Sequence, residues 1–512
     1  MPLGRTLNMP KRSFFPMFKV LLLAALLPGA ARAAGPSLAG RYKGYNLLVV
    51  SITNIGTDHM SLYGYGRKTT PNLDKWAAGA LVFEDAYTPA SWTLPAATSL
   101  LTSLSPNAHQ IMGRNRDVLL SHKIKTLEEI LNASGYRTAA FTGGLDYMPS
   151  LGHMRGFGTA PDNAPFTRFD VTIPQAEGWL AKNKNRKFFL LVHGYDAHPP
   201  FLPSRFEGVY SSTAGRSVTV DPTRTYRGYR ESKDANITAY YHEPRPSPGV
   251  GEKKRVSESV TILTPDDVNY LRDLYDERIL DEDSRVGEFL ASLDKALLEK
   301  TIVVVLSEHG EMFAKHGRFG RAGGIRGTLF DDVVHVPLLV RLPGEPGRRV
   351  RGLVQIEDIM PTLLELLAVR GPAKVQGSSL LPLVSTGTAV NQYVYGGTRY
   401  NTYMPETYGP YGIASVNEYI RDYNWKLIHE VTFPDGKRKK AGDAEETFEL
   451  YDLKNDPAEA VNVAAANPGV VKDLAQKLRQ WVETSKKFNR AGTSTRAIPK
   501  EVLEKAKQHG YW

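Results

Sequence analysis

The chain has 512 residues, 42% hydrophobic and 23% charged, enough for a large globular core with a satellite domain. It contains no cysteine, which excludes disulfides, thiolate zinc sites and cysteine nucleophiles. The net charge is +10, but Arg5, Lys11, Arg12, Lys19 and Arg32 supply five of those charges within the first 34 residues. The remaining +5 gives no case for nucleic acid binding.

The N-terminus reads as an export signal. Lys11, Arg12 and Lys19 are basic, 20–27 (VLLLAALL) is apolar, and Ala31-Arg32-Ala33 has the small-x-small cleavage pattern. The apolar run is far shorter than the ~20 residues needed to span a bilayer. Residues 1–34 are therefore expected to be a cleaved signal peptide, and the protein to be secreted or periplasmic, without a stable membrane span.

From residue 40 apolar runs alternate with amphipathic ones. Strands are predicted over 47–52, 138–142, 188–193, 301–306 and 336–341. Helices are predicted over 72–78, 93–102, 126–134, 266–298 and 357–367. Near-continuous apolar strands separated by helices predict an α/β fold, with a large, mostly parallel sheet covered on both faces. Thr264 and Pro265, followed by Asp266 and Asp267, mark the start of the longest helix. Residues 206–256, rich in Arg, Tyr, Ser, Pro and Gly, read as a surface insertion, either beside the site or without a role in it. A boundary is placed near 385–390 (STGTAVN), giving a large domain over 40–388. The remainder, 389–512, is predicted as a small antiparallel sheet, with a turn at PDGK, followed by a helix over 469–486.

Four segments carry the polar residues that end up beside predicted strand ends. Thr53 and Asn54 close the first strand. Thr93 lies at or near the start of a helix, where free N–H groups and the dipole can lower an alkoxide's energy; as a plain N-cap it needs no further role. His193 and His198 flank Asp196 in LLVHGYDAHPPF. Glu308 and His309 follow the strand VVVLS and form a credible divalent-metal pair. His316, Arg318 and Arg321 come shortly after, able to neutralise a tetrahedral anion or simply to be solvated.

Together these segments resemble the sulfatase family of the alkaline phosphatase superfamily. The likeness is carried by NLLVVSITNIGTDHMSLYGYGRKTTPNLDKWAAGALVFEDAYTPASWTLPAATSLLTSLSP, FFLLVHGYDAHPPFLP, VVVLSEHGEMFAKHG, GTLFDDVVHVPLLVRLPG and FELYDLKNDPAEAVNVAAANP, in that order. It implies a mixed central sheet between helices, a smaller C-terminal sheet and helix, and hydrolysis of a small anionic sulfate, phosphate or phosphonate ester. By the same resemblance Thr93 takes the nucleophile position, and His198 and His316 take catalytic positions. His193, Arg321 and Arg326 are expected at the substrate anion, and Glu308, His309, Asn54 and Thr53 at a divalent cation (Ca, Mg, Mn or Zn). The chain departs from the family in that shell. Threonine cannot become formylglycine, Ala97 replaces the usual arginine or histidine, and Thr53, Asn54 and Glu308 replace aspartates. The cation is then expected to bind weakly or not at all. Two readings follow: a hydrolase with a threonine nucleophile, or a catalytically degenerate relative with a binding or scaffold role.

Overall fold

The structure is a computed structural model. It describes residues 37–111, 119–229, 236–242, 258–320, 328–400, 414–433 and 445–488. The expected signal peptide, the PDGK turn, Arg321 and Arg326 all lie outside the described residues.

Seven strands form the central sheet: β1 (Asn46–Ile52), β2 (Leu81–Phe83), β3 (Arg137–Phe141), β4 (Phe188–Gly194), β5 (Thr301–Leu306), β6 (Leu338–Arg341) and β7 (Arg348–Val350). Their order is β7-β2-β6-β5-β1-β4-β3, and only β6 runs against its neighbours. The run Asn46–Ile52 is almost wholly apolar because both its faces are covered. Leu47 and Val49 join Leu100, Met360 and Leu363 on one side, while Leu48, Val50 and Ile52 join Phe169, Ile173 and Leu274 on the other.

The sheet order positions the site. β1 lies between β4 and β5, parallel to both, with Ser51 opposite His193 and Leu306. Three carboxyl ends far apart in sequence therefore open side by side. The loops there approach closely. A Cβ on Gly310 would lie 2.1 Å from the Asp332 carbonyl oxygen, and one on Gly56 would lie 2.7 Å from it, so neither position tolerates a side chain.

The long helix, Pro265–Ser292, starts as predicted: the Thr264 hydroxyl accepts from the Asp267 N–H at 3.2 Å, and the Asp267 carboxylate accepts from the Thr264 N–H at 3.0 Å. It ends earlier than predicted, because Leu293 turns extended before a short helix, Lys295–Leu298, begins. A helix over Phe169–Asn183 was not predicted; Pro174 within it masks the pattern. The 206–256 insertion is partly strapped to the long helix. Glu277 accepts from the Tyr210 and Ser211 N–H groups at 2.7 and 2.8 Å, and Asp267 from that of Thr219 at 2.7 Å. Strands Arg227–Tyr229, Ile237–His242 and Glu258–Leu263 pair antiparallel and meet Arg318–Phe319.

Beyond residue 390, Val394–Tyr400, Ala414–Arg421, Trp425–Phe433 and Glu445–Asp452 form an antiparallel sheet. Helix Pro468–Phe488 covers one face through Leu474 and Leu478, against Ile420, Leu427 and Leu450. The other face packs Tyr419, Ile428 and Tyr451 against Phe330, Val333 and Val334. No helix among the described residues is long and apolar enough to cross a membrane.

Candidate active site

Glu308 leaves the end of β5 and is fully buried. Its Oε1 accepts hydrogen bonds from the hydroxyls of Ser51 and Tyr147. Its Oε2 accepts from Thr53 Oγ1 at 2.9 Å. Burial raises the Glu308 carboxyl above its usual range, and the three hydroxyls act against that rise.

His193, at the end of β4, is tied into the same group. Its Nδ1 accepts from the Gly143 N–H at 3.1 Å, so the ring proton sits on Nε2 and is donated to Thr53 Oγ1. The Thr53 hydroxyl is thereby left to donate to Glu308. Burial lowers the His193 pKa to about 3, so the ring is neutral. The Tyr147 and Tyr195 rings pack on it, with centroids at 4.4 and 4.6 Å. His193 was expected to contact the substrate anion. With both nitrogens engaged inside the protein and no charge, it orients Thr53 in this arrangement.

A second pair joins the start of the helix Thr93–Thr102 to His309, in the segment after β5. The N-cap is Trp92, in extended conformation, and Thr93 is the first helical residue. Pro95 fits in the first turn, where its missing N–H costs nothing. Thr93 Oγ1 is 3.1 Å from His309 Nε2. His309 Nδ1 faces the Gly310 carbonyl oxygen at 3.0 Å and so carries the proton, leaving the Nε2 lone pair toward the Thr93 hydroxyl. Both residues are buried.

Asn54 forms a third group. Its amide donates to Glu311 Oε2 at 2.9 Å and to the Ala197 carbonyl at 3.2 Å, while its Oδ1 is buried without a partner. Its φ of 76° is left-handed, which asparagine tolerates better than most residues.

The other two expected histidines make contacts of their own, and His198 shares the Tyr195 ring with His193. His198 packs against Phe166 and Tyr195, with its Nδ1 2.6 Å from the Pro199 carbonyl oxygen. His316 stacks on Phe330 with a 3.7 Å centroid separation and lies 3.5 Å from Asp332 Oδ2. Sequence reasoning passed over Ser51, Tyr147 and Glu311. Ser51 was legible as a polar break in an apolar strand; Tyr147, from the segment after β3, gave no local signal.

Proteins of the sulfatase family typically use a divalent cation. The residues expected to hold it here do not fit one. Hard cations take six or more oxygen ligands and draw their affinity from the number of charged ones, one or two carboxylates for Mg and usually more for Ca. This shell has one carboxylate, already accepting three hydroxyl protons, and Asn54 Oδ1, which is neutral. Elsewhere, ligand atoms of His316, Asp332 and Glu459 lie within 4.8 Å of one another, close enough to share an ion. Both carboxylates there already have ammonium partners: Lys315 on Asp332, and Lys426 on Glu459 at 2.8 Å.

The mixed sheet, the antiparallel C-terminal sheet and a hydroxyl at a helix N-terminus beside an imidazole define an alkaline phosphatase-like α/β protein. A family model described as "Sulfatase" matches residues 45–369, and one described as "N-sulphoglucosamine sulphohydrolase, C-terminal" matches 325–487. The chain belongs to the sulfatase family. Arylsulfatase A of Homo sapiens is 27% identical over 488 residues, 90% of this chain and 89% of that protein. Arylsulfatase K of Mus musculus is 32% identical over 311 residues, 60% of this chain; the match spans about half, 52%, of the mouse protein. Among solved structures, the phosphonate monoester hydrolase of Agrobacterium radiobacter is similar with a TM-score of 0.63 and 20% identity, over 86% of this chain and 96% of that one. A protein solved with its substrate D-glucosamine-2-N,6-O-disulfate gives 0.64 and 18%, over 88% and 100%.

Proposed function

We propose that this protein hydrolyses a small anionic ester of sulfuric, phosphoric or phosphonic acid, with Thr93 as nucleophile. The 3.1 Å approach of Thr93 Oγ1 to His309 Nε2 carries the reading. His309 takes the hydroxyl proton as Thr93 Oγ bonds to the phosphorus or sulfur, and the ester oxygen leaves with the alcohol. Water then cleaves the Thr93 ester. The helix N-terminus favours the anion held there. A phosphorus ester is favoured over a sulfate, because formylglycine cannot form at a threonine. His198 and His316 are proposed to serve the leaving group and the anion, and Arg321 and Arg326 to bind the anion. Relatives include a phosphonate monoester hydrolase and arylsulfatases, which supports this range of esters.

Export after cleavage near residue 34 belongs to the same proposal, supported by the pattern of Lys11, Arg12, Lys19 and Ala31–Ala33. N-terminal sequencing of the exported protein tests it.

The second reading, a binding protein without turnover, is favoured by the engagement of both Glu308 oxygens. Chromogenic aryl phosphate, phosphonate and sulfate esters separate the two. Turnover that is lost in Thr93→Ala while the circular dichroism spectrum is kept supports the hydrolase. Turnover unaltered by that change removes Thr93 from the mechanism. No turnover of any of these esters, with saturable binding of the anion, supports the second reading.

A further inference from the structure

We propose that the Glu308 site holds no divalent cation, and that the hydroxyls of Ser51, Thr53 and Tyr147 stand in its place as partners of the buried carboxylate. The proposal concerns what neutralises this carboxylate and does not rest on turnover by Thr93.

A carboxylate offers about four lone-pair directions. Three are taken by hydroxyl donors, two on Oε1 and one on Oε2. The direction of the third is fixed by its own donor: His193 presents Nε2–H to Thr53 Oγ1, so the Thr53 proton has Glu308 as its partner. One direction, on Oε2, is left for an ion at 2.0–2.6 Å; to bind through more of the carboxylate an ion would have to turn these protons away, and the Thr53 proton is confined by the His193 N–H.

The backbone enforces this arrangement. Ser51 pairs with both His193 and Leu306 in parallel register, so Thr53 and Glu308 emerge from adjacent strands two residues later. The Tyr147 ring is held against His193, which aims its hydroxyl at Oε1. The second acid nearby is committed to a different partner. Glu311 is engaged by the Asn54 amide, which also donates to Ala197. Glu308 is thus the one carboxylate among the residues expected to hold a cation, and the space beside it is filled by side-chain oxygens.

The test is metal content together with thermal unfolding of the full-length purified protein. Metal analysis after dialysis is expected to give well under one equivalent of Ca, Mg, Mn or Zn removable by changing Glu308. Tm is expected to be the same in EDTA and in each of those cations, because a ligand stabilises only what it binds. A full equivalent that Glu308→Gln removes from a folded protein, with a cation-dependent rise in Tm, overturns the proposal. An equivalent that survives Glu308→Gln sits elsewhere, and His316, Asp332 and Glu459 are the place to look; that outcome upholds it. Should Glu308→Gln not fold, Thr53→Asp decides. A second carboxylate there is expected to create a cation-dependent rise of several degrees that the unaltered chain lacks. The same rise already present in the unaltered chain overturns the proposal.

Discussion

Thr53 Oγ1 donates to Glu308 Oε2 across 2.9 Å, although 255 residues separate the two in sequence. They meet because β1 and β5 are parallel neighbours. The contact sets a neutral donor, rather than a second charge, against the buried carboxylate. The Thr93–His309 contact at 3.1 Å is separate from it and is the pair on which the proposed chemistry rests.

His309 is expected to matter through proton transfer. His309→Gln should lower kcat by about 10²- to 10⁴-fold, the usual range for a general base. Thr93→Ser should retain measurable turnover, because serine keeps the hydroxyl. Rates on an aryl phosphonate, with circular dichroism as the folding control, check both.

Tyr147→Phe removes one of the two hydroxyls on Glu308 Oε1 and keeps the ring against His193. Hydrogen bonds to charged groups contribute about 1.5–3 kcal/mol, so a loss of that size is expected in urea denaturation. An unchanged midpoint would show that Ser51 and Thr53 suffice.

Lys426 is fully buried between the C-terminal sheet and the large domain, 2.7 Å from Asp331 and 2.8 Å from Glu459. Lys426→Ala leaves Glu459 without its ammonium partner, while Asp331 keeps Arg421 at 3.1 Å. Breaking a buried pair from one side costs about 3–5 kcal/mol. Chemical denaturation should show this loss.

Glu128 is fully buried, and burial raises its pKa to about 8, more than the nearby Thr126 hydroxyl and backbone N–H groups lower it. A carboxyl raised above its unfolded value contributes stability that is complete below the unfolded pKa and lost as pH rises through the folded one. Here the loss runs from about pH 4.5 to about pH 8. Glu128→Gln removes it, so the variant should gain about 1–3 kcal/mol relative to the parent at pH 8 and little at pH 4. A difference independent of pH would contradict the assignment.

Local pattern sufficed for much of the fold. Apolar runs such as 188–193 and 301–306 are strands because only a sheet covered on both faces buries every residue of such a run. Thr264, Pro265 and Asp267 mark a helix start because capping is a contact between residues three apart. The helix over Phe169–Asn183 escaped because Pro174 broke the pattern while tertiary packing of Phe169 and Ile173 kept the helix.

The sequence by itself determined the α/β class, the places where strands end and the residue types available there, Thr53, His193, Glu308 and His309 among them. Those properties depend on period and propensity, which neighbours along the chain settle. Only the tertiary structure decided that Tyr147 caps Glu308, that His193 serves Thr53, and that His309 turns its lone pair to Thr93. Which proton points where depends on sheet order and on partners up to 257 residues away, and no local signal encodes that.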